Sequence, residues 1–123
     1  MRRMMMTSKV AVYGTLKRGH GANSYLSNTR FVGGGVTALR YKMTDVGFPK
    51  IARHAEGHKV RVEVYDEPNW SLLDRYEGVP GLYRRSIIPV ELDSGEVIDA
   101  YIYEANELSG RPVAPTGDTL VWG

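Results

Sequence analysis

The stretch Lys9-Val10-Ala11-Val12-Tyr13-Gly14-Thr15-Leu16-Lys17-Arg18-Gly19-His20-Gly21 decides how the rest of the chain is read. Lys9 to Tyr13 ends in an apolar run of the kind that forms a buried strand. The run stops at Gly14, and the three glycines among residues 14–21 demand a turn or loop. A strand entering Gly14-Thr15-Leu16 presents successive backbone N–H groups, which can converge on an anion. Gly14 has no side chain to keep a ligand away, and Lys17 or Arg18 adds positive charge at the rim. The same composition also describes a plain hairpin loop. A phosphate-binding P-loop does not fit: four residues separate Gly14 from Gly19, but His20-Gly21 stands where Lys-Ser or Lys-Thr is required.

Outward from this turn, the pattern is mostly strands. Asn23 or Ser24 caps a short helix through Tyr25 and Leu26. Phe31-Val32-Gly33-Gly34-Gly35-Val36 reads as a strand whose glycines mark a bulge or the close approach of another backbone. Leu39 to Thr44 is a further strand, and Gly47-Phe48-Pro49-Lys50-Ile51 a turn with a short extended piece. Lys59 to Tyr65 alternates, with Val60, Val62 and Val64 on one face. Asp66-Glu67-Pro68-Asn69 breaks it. Leu72, Leu73 and Tyr76 then share a helical face, with Pro68 or Asn69 at its start and Gly78 at its stop. Arg85 to Leu92 and Val97 to Tyr103 form a hairpin about Ser94-Gly95. The proline-containing tail after Glu104 is irregular, with Leu120-Val121-Trp122 packing back. Many strands and one or two short helices predict an α+β domain, its small mixed sheet curled into a barrel.

Composition limits the function. The chain has 123 residues, enough for one domain with a real core. The expected division is a ragged segment at residues 1–7 and a single domain at 8–123. There are no cysteines, so thiolate catalysis, disulfides and Cys-based zinc sites are out, and a cytoplasmic setting is expected. Sixteen basic against 14 acidic residues is too even to predict nucleic acid as the partner. No apolar run approaches the ~18 residues that cross a bilayer. His54 and His58 are spaced for one helix face, but Gly57 lies between them and no third ligand is evident, so no metal is predicted.

Asp74 and Glu77 lie three apart and share a face of the predicted helix. At its C-terminal end the helix dipole disfavours the charge of Glu77. An aromatic pocket, with Tyr76 or Tyr83 near, raises its pKa further. A glutamate tuned upward takes and gives protons near neutral pH. In isolation, Leu73-Asp74-Arg75-Tyr76-Glu77-Gly78 favours an exposed glutamate at a helix end.

Two segments in order carry more. Val12-Tyr13-Gly14-Thr15-Leu16-Lys17-Arg18-Gly19 resembles the opening signature of the γ-glutamylcyclotransferase-like family, which includes the AIG2-like proteins. Leu72-Leu73-Asp74-Arg75-Tyr76-Glu77-Gly78, followed by Pro80 and Leu82-Tyr83-Arg84-Arg85, resembles its second signature. Gly47-Phe48-Pro49, Val62-Glu63-Val64-Tyr65 and Ala100-Tyr101-Ile102-Tyr103 match weaker parts in the right order. The resemblance implies a barrel-like α+β domain with a cavity. It implies an enzyme that cyclises a γ-glutamyl group to 5-oxoproline and frees an amine, without cofactor. It places the glutamyl carboxylate on the backbone of Gly14, Thr15 and Leu16 beside Tyr13, and Glu77 at the acid/base position. Tyr83 and Tyr101 are expected to line the same cavity. The Tyr-Gly-Thr-Leu-Lys opening is closer to the γ-glutamylamine cyclotransferase branch. Two features depart from the pattern: Tyr76, where a smaller aliphatic residue is common, and Gly33-Gly34-Gly35. The alternative is a module that binds a small ligand in the same cavity without chemistry, with Lys17, Arg18, Arg84 and Arg85 supplying charge at its mouth.

Overall fold

A computed structural model describes residues 7–123; apart from Thr7, the expected ragged start lies outside them. Five strands close on themselves: β1 (Lys9–Val12), β7 (Val97–Ala105), β6 (Tyr83–Leu92), β2 (Arg30–Thr37) and β5 (Lys59–Asp66), in that order, with β5 pairing back to β1. Neighbours are antiparallel except β1 and β7, which run parallel with Val10 level with Tyr101 and Ala11 level with Ile102. Closure leaves these five strands no open edge. A small second sheet joins β3 (Tyr41–Asp45) to β4 (Pro49–Arg53) and to β8 (Arg111–Pro112). The tail thus contributes two brief strands rather than none: β8, and β9 (Thr119–Leu120), which pairs with β5. The third predicted strand starts at Tyr41, not Leu39.

The alternation in sequence becomes two apolar layers. Val60, Val62, Val64, Ile88, Val90, Ala100 and Ile102 fill the barrel with Ala11 and Tyr13. Val10, Val12, Tyr65, Tyr83, Tyr103 and Ala105 face outward and are covered by Leu73 and Leu26. Leu73 lies on α1 (Trp70–Glu77) and Leu26 on a 3-10 helix (Gly21–Leu26). Burying one such side chain is worth about 1.5–3 kcal/mol, so the second layer fixes α1 to the barrel wall. Leu73 is the helix's one buried side chain; Tyr76, expected on the same buried face, is exposed.

Both glycine expectations for β2 hold at different residues. Its register with β5 shifts between Phe31 and Gly33. At Gly35 an added Cβ would lie 2.4 Å from the Glu91 carbonyl oxygen. α1 begins on Asn69, whose side chain accepts the Leu72 N–H at 3.1 Å. It ends at Gly78, in the left-handed conformation with φ +67°. His54 and His58 lie in the turn between β4 and β5 and share no helix, and no metal-ligand cluster occurs among the described residues. No helix among them is long and apolar enough to cross a membrane.

Candidate active site

β1 is held on both sides, by β5 and β7, until Val12, and then the chain turns. The turn opens on a cavity of about 330 Å³ at this end of the barrel. Tyr13, Gly14, Thr15 and Leu16 form one wall, Glu77 and Tyr76 from the end of α1 another, and Tyr83 with Tyr103 the floor. Gly47, Phe48, Pro49 and Leu82 complete it. The predicted turn and the predicted glutamate therefore meet in one concavity, although 63 positions separate Gly14 from Glu77.

The turn is shaped to leave donors free. Lys17 N–H closes it on the Gly14 carbonyl at 3.0 Å, and Ala22 N–H binds the Thr15 carbonyl at 3.1 Å. The N–H groups of Gly14, Thr15 and Leu16 donate to no acceptor among the described residues. Unpaired N–H groups in a wall are costly unless water or a ligand answers them. Gly14 is required for a reason invisible in the local sequence: a Cβ there would lie 2.7 Å from Pro49 Cγ. The close neighbour is thus the protein's own proline ring.

Phenols fix the rest. Tyr13 Oη donates to the Tyr103 carbonyl (2.5 Å), Tyr83 Oη to the Pro49 carbonyl (2.7 Å) and Tyr103 Oη to Asp74 Oδ1 (2.7 Å). Burial raises all three phenol pKa values, so they remain protonated donors. Asp74 in turn faces Arg85 at 3.6 Å. The two carboxylates on one helix face are thereby divided: Asp74 is tied to the barrel wall, and Glu77 enters the cavity.

Glu77 has no hydrogen-bond or salt-bridge partner among the described residues, and burial pushes its carboxyl up from 4.5 to about 7. The cause is desolvation, because the charged form loses water and gains no compensating donor; the helix-end effect expected from sequence is not needed. A carboxyl balanced near neutrality can serve as base and then as acid.

Tyr101 is displaced from its expected place. It does not line the cavity but packs edge-on to Trp70 (centroids 5.0 Å apart) beneath the Arg85 guanidinium. The parallel register explains this. Tyr101 is level with Val10, three residues short of Tyr13, and Tyr103, one side-chain repeat farther on the same face, reaches the cavity. The cations expected at the mouth are also engaged elsewhere. Lys17 Nζ donates to the Trp122 carbonyl, Arg18 covers the Phe31 ring at 3.6 Å, Arg84 binds the Ala105 carbonyl, and Arg85 stacks over Trp70. The sequence reading missed Tyr103 and Pro49 as lining residues, whereas Tyr76, expected near Glu77, does line the cavity with it. The period-two spacing from Tyr101 was the one signal that pointed to Tyr103.

The five-stranded barrel is the fold of the AIG2-like proteins of known structure. The family described as "Gamma-glutamyl cyclotransferase, AIG2-like" matches residues 10–122, and the chain belongs to it. A Methanocaldococcus jannaschii protein named "Putative gamma-glutamylcyclotransferase" is 36% identical over 104 residues, covering 82% of this chain and 87% of that protein. One of the same name from Vibrio cholerae is 36% identical over 103 residues, covering 80% and 84%. The crystal structure of an AIG2-like protein from Mus musculus superposes with a TM-score of 0.75 at 23% identity, covering 85% of this chain and 81% of that one; this likeness concerns the fold.

Proposed function

We propose that the chain cyclises the γ-glutamyl group of a small γ-glutamyl amine or amide to 5-oxoproline and releases the free amine, with Glu77 as general acid and base. The substrate's α-carboxylate accepts from the free N–H groups of Gly14, Thr15 and Leu16, which folds the glutamyl chain so that its α-amine meets the γ-carbonyl carbon. Glu77 takes a proton from the α-ammonium. The amine nitrogen bonds to the carbonyl carbon, Glu77 passes the first proton to the nitrogen of the scissile amide, and the ring nitrogen gives up its second proton by the same route as the bond to the departing amine breaks, so that 5-oxoproline is left neutral and the amine leaves protonated. Ring closure is intramolecular, so fixing one conformer accounts for much of the work, up to about 7–11 kcal/mol in favourable cases. Tyr13 and Tyr83 enclose the folded chain, and Tyr103 takes the place first expected of Tyr101. Neither metal nor cofactor enters these steps.

The observation that carries this reading is the isolation of Glu77: a partly enclosed carboxyl, with no donor among the described residues and a pKa near 7, facing three unpaired N–H groups. The occupied state of Lys17, Arg18, Arg84 and Arg85 takes support from the binding-module alternative, which used them at the mouth. Glu77→Gln is expected to lower 5-oxoproline release by about 10²–10⁴-fold with an unchanged circular dichroism spectrum. Turnover equal to the parent protein would sink the assignment.

A further inference from the structure

The carbonyls of the turn are all occupied, and this decides where its free N–H groups point. Lys17 N–H donates to the Gly14 carbonyl and Ala22 N–H to the Thr15 carbonyl. The Leu16 carbonyl accepts from Asn23 Nδ2 at 2.8 Å. A peptide unit is planar and trans, so each N–H points opposite to the carbonyl of the residue before it. The bond on the Gly14 carbonyl therefore aims the Thr15 N–H, and the bond on the Thr15 carbonyl aims the Leu16 N–H. The Leu16 carbonyl shares its peptide unit with the Lys17 N–H, which is the donor that holds Gly14. Among the described residues, Asn23 is the one side chain in this set of backbone contacts. It stands at the head of the series: Leu16 carbonyl, Lys17 N–H, Gly14 carbonyl, Thr15 N–H.

Asn23 is itself braced. It lies within the 3-10 helix, whose N-cap is His20 and which no side chain caps; the cap expected of Asn23 is exchanged for this reach back to Leu16. An amide nitrogen carries two hydrogens, and Nδ2 also approaches Tyr65 Oη at 3.3 Å. Tyr65 Oη donates to Glu63 Oε1 at 3.0 Å, and the same oxygen accepts the Arg18 N–H at 2.9 Å. Glu63 and Tyr65 are two apart on β5 and share one of its faces. The loop after the turn is thus fastened to a barrel strand at Arg18 and Asn23. Asn23, Glu63 and Tyr65 lie outside the cavity lining, so any effect they have on the site passes through the turn.

We propose that Asn23 is a positioning residue for the substrate's α-carboxylate, and that with Tyr65 and Glu63 it keeps the Thr15 and Leu16 N–H groups aimed at that carboxylate. For the identity of the ligand the proposal rests on the cyclotransferase reading above. The carboxylate contact is present in the bound substrate, during ring closure and in 5-oxoproline. Loss of its aim is therefore expected in KM and in 5-oxoproline affinity together, with little change in kcat.

The test measures turnover of γ-glutamyl methylamide and, by calorimetry, the Kd of 5-oxoproline. Asn23→Ala is expected to raise both KM and Kd by about tenfold, the scale of one lost hydrogen bond. Asn23→Asp keeps the shape but sets an anionic acceptor against the Leu16 carbonyl, so it is expected to raise both further than Asn23→Ala. A role in packing alone gives the reverse order. Tyr65→Phe keeps the ring and removes the link to Glu63; it is expected to raise both by about threefold, and it decides the matter where the Asn23 variants fail to fold. Unchanged KM and Kd in the folded variants, or a fall in kcat alone, overturns the proposal and leaves the cyclotransferase reading standing. A parent protein that binds 5-oxoproline without forming it from the amide overturns the cyclotransferase reading, and the Kd series then decides the proposal. A parent protein that does neither overturns both.

Discussion

Glu77→Gln is informative about stability as well as turnover. Moving a carboxyl from 4.5 to about 7, at about 1.4 kcal/mol per pH unit, corresponds to roughly 3 kcal/mol. Below pH 4.5 the group is protonated whether the chain is folded or not, and it has no effect on the pH dependence. Between 4.5 and about 7 the unfolded chain ionises and the folded chain does not. The folded state therefore loses relative stability as pH rises through this window, and above it the full penalty stands. Glutamine is neutral throughout, so Glu77→Gln is expected to gain about 3 kcal/mol relative to the parent between pH 4.5 and pH 8. Urea unfolding at pH 4.5, 6 and 8 measures this, and comparing the two proteins at each pH cancels every other titrating group. A difference between parent and variant that does not change with pH would refute the claim that Glu77 is held unpaired in a poorly solvated site. If the free carboxylate is the working base, kcat/KM rises over the same range and levels off above about pH 7.

Two further outcomes follow from particular contacts. Gly14→Ala places a methyl 2.7 Å from Pro49 Cγ; the expected cost is about 1–3 kcal/mol of stability from overpacking, with kcat/KM down about 100-fold because the donors move, checked by urea unfolding and 5-oxoproline assay. Glu104 is buried and accepts from Tyr41 Oη and Arg53 Nε, each at 2.7 Å. Burial opposes its ionisation, but the Arg53 and Tyr41 hydrogen bonds outweigh it and hold its carboxyl below the usual range. The stability this gives is present above the ordinary carboxyl value and is lost as pH falls through the lowered one. Glu104→Gln is thus expected to be about 1–3 kcal/mol less stable at pH 7, with the gap closing in acid; a gap that persists in acid would rule out the charge as its source.

The features that sequence conveys well here are local ones. The alternation of Val60, Val62 and Val64, the turn at Ser94-Gly95 and the helix stop at Gly78 each depend on neighbours a few residues away, and each appears as expected. The barrel was legible as a class, from many strands and few helices. Its closure was not, because pairing β1 with both β5 and β7 brings together residues more than 50 positions apart. The choice of Tyr103 over Tyr101 is settled by that long-range register. Gly14 was read as a place where a ligand approaches closely; the close neighbour that the structure shows, Pro49, arrives from a different sheet. The cations at Lys17, Arg18, Arg84 and Arg85 looked free because their partners, among them Trp122 and Phe31, are remote in sequence.

The arrangement also explains why the site sits at this end of the barrel. Elsewhere the wall is a closed ladder in which backbone groups pair strand to strand. Where β1 leaves both neighbours, the consecutive N–H groups of Gly14, Thr15 and Leu16 stay unpaired among the described residues, and a rigid boundary on each side keeps that segment open. Pro49 supplies one side of the boundary, and it is anchored in turn by the hydroxyl of Tyr83. The other side is α1, held by Leu73 against the barrel and by Asp74 to Tyr103. Asp74 and Glu77 stand three residues apart on the same short helix, so the contact that pins the first aims the second. A chain of about this size has roughly 5–15 kcal/mol of net stability, and an unpaired Glu77 takes an appreciable part of it. The substitution that restores this stability is the one expected to abolish turnover, which is the relation expected of a group placed for chemistry and not for packing.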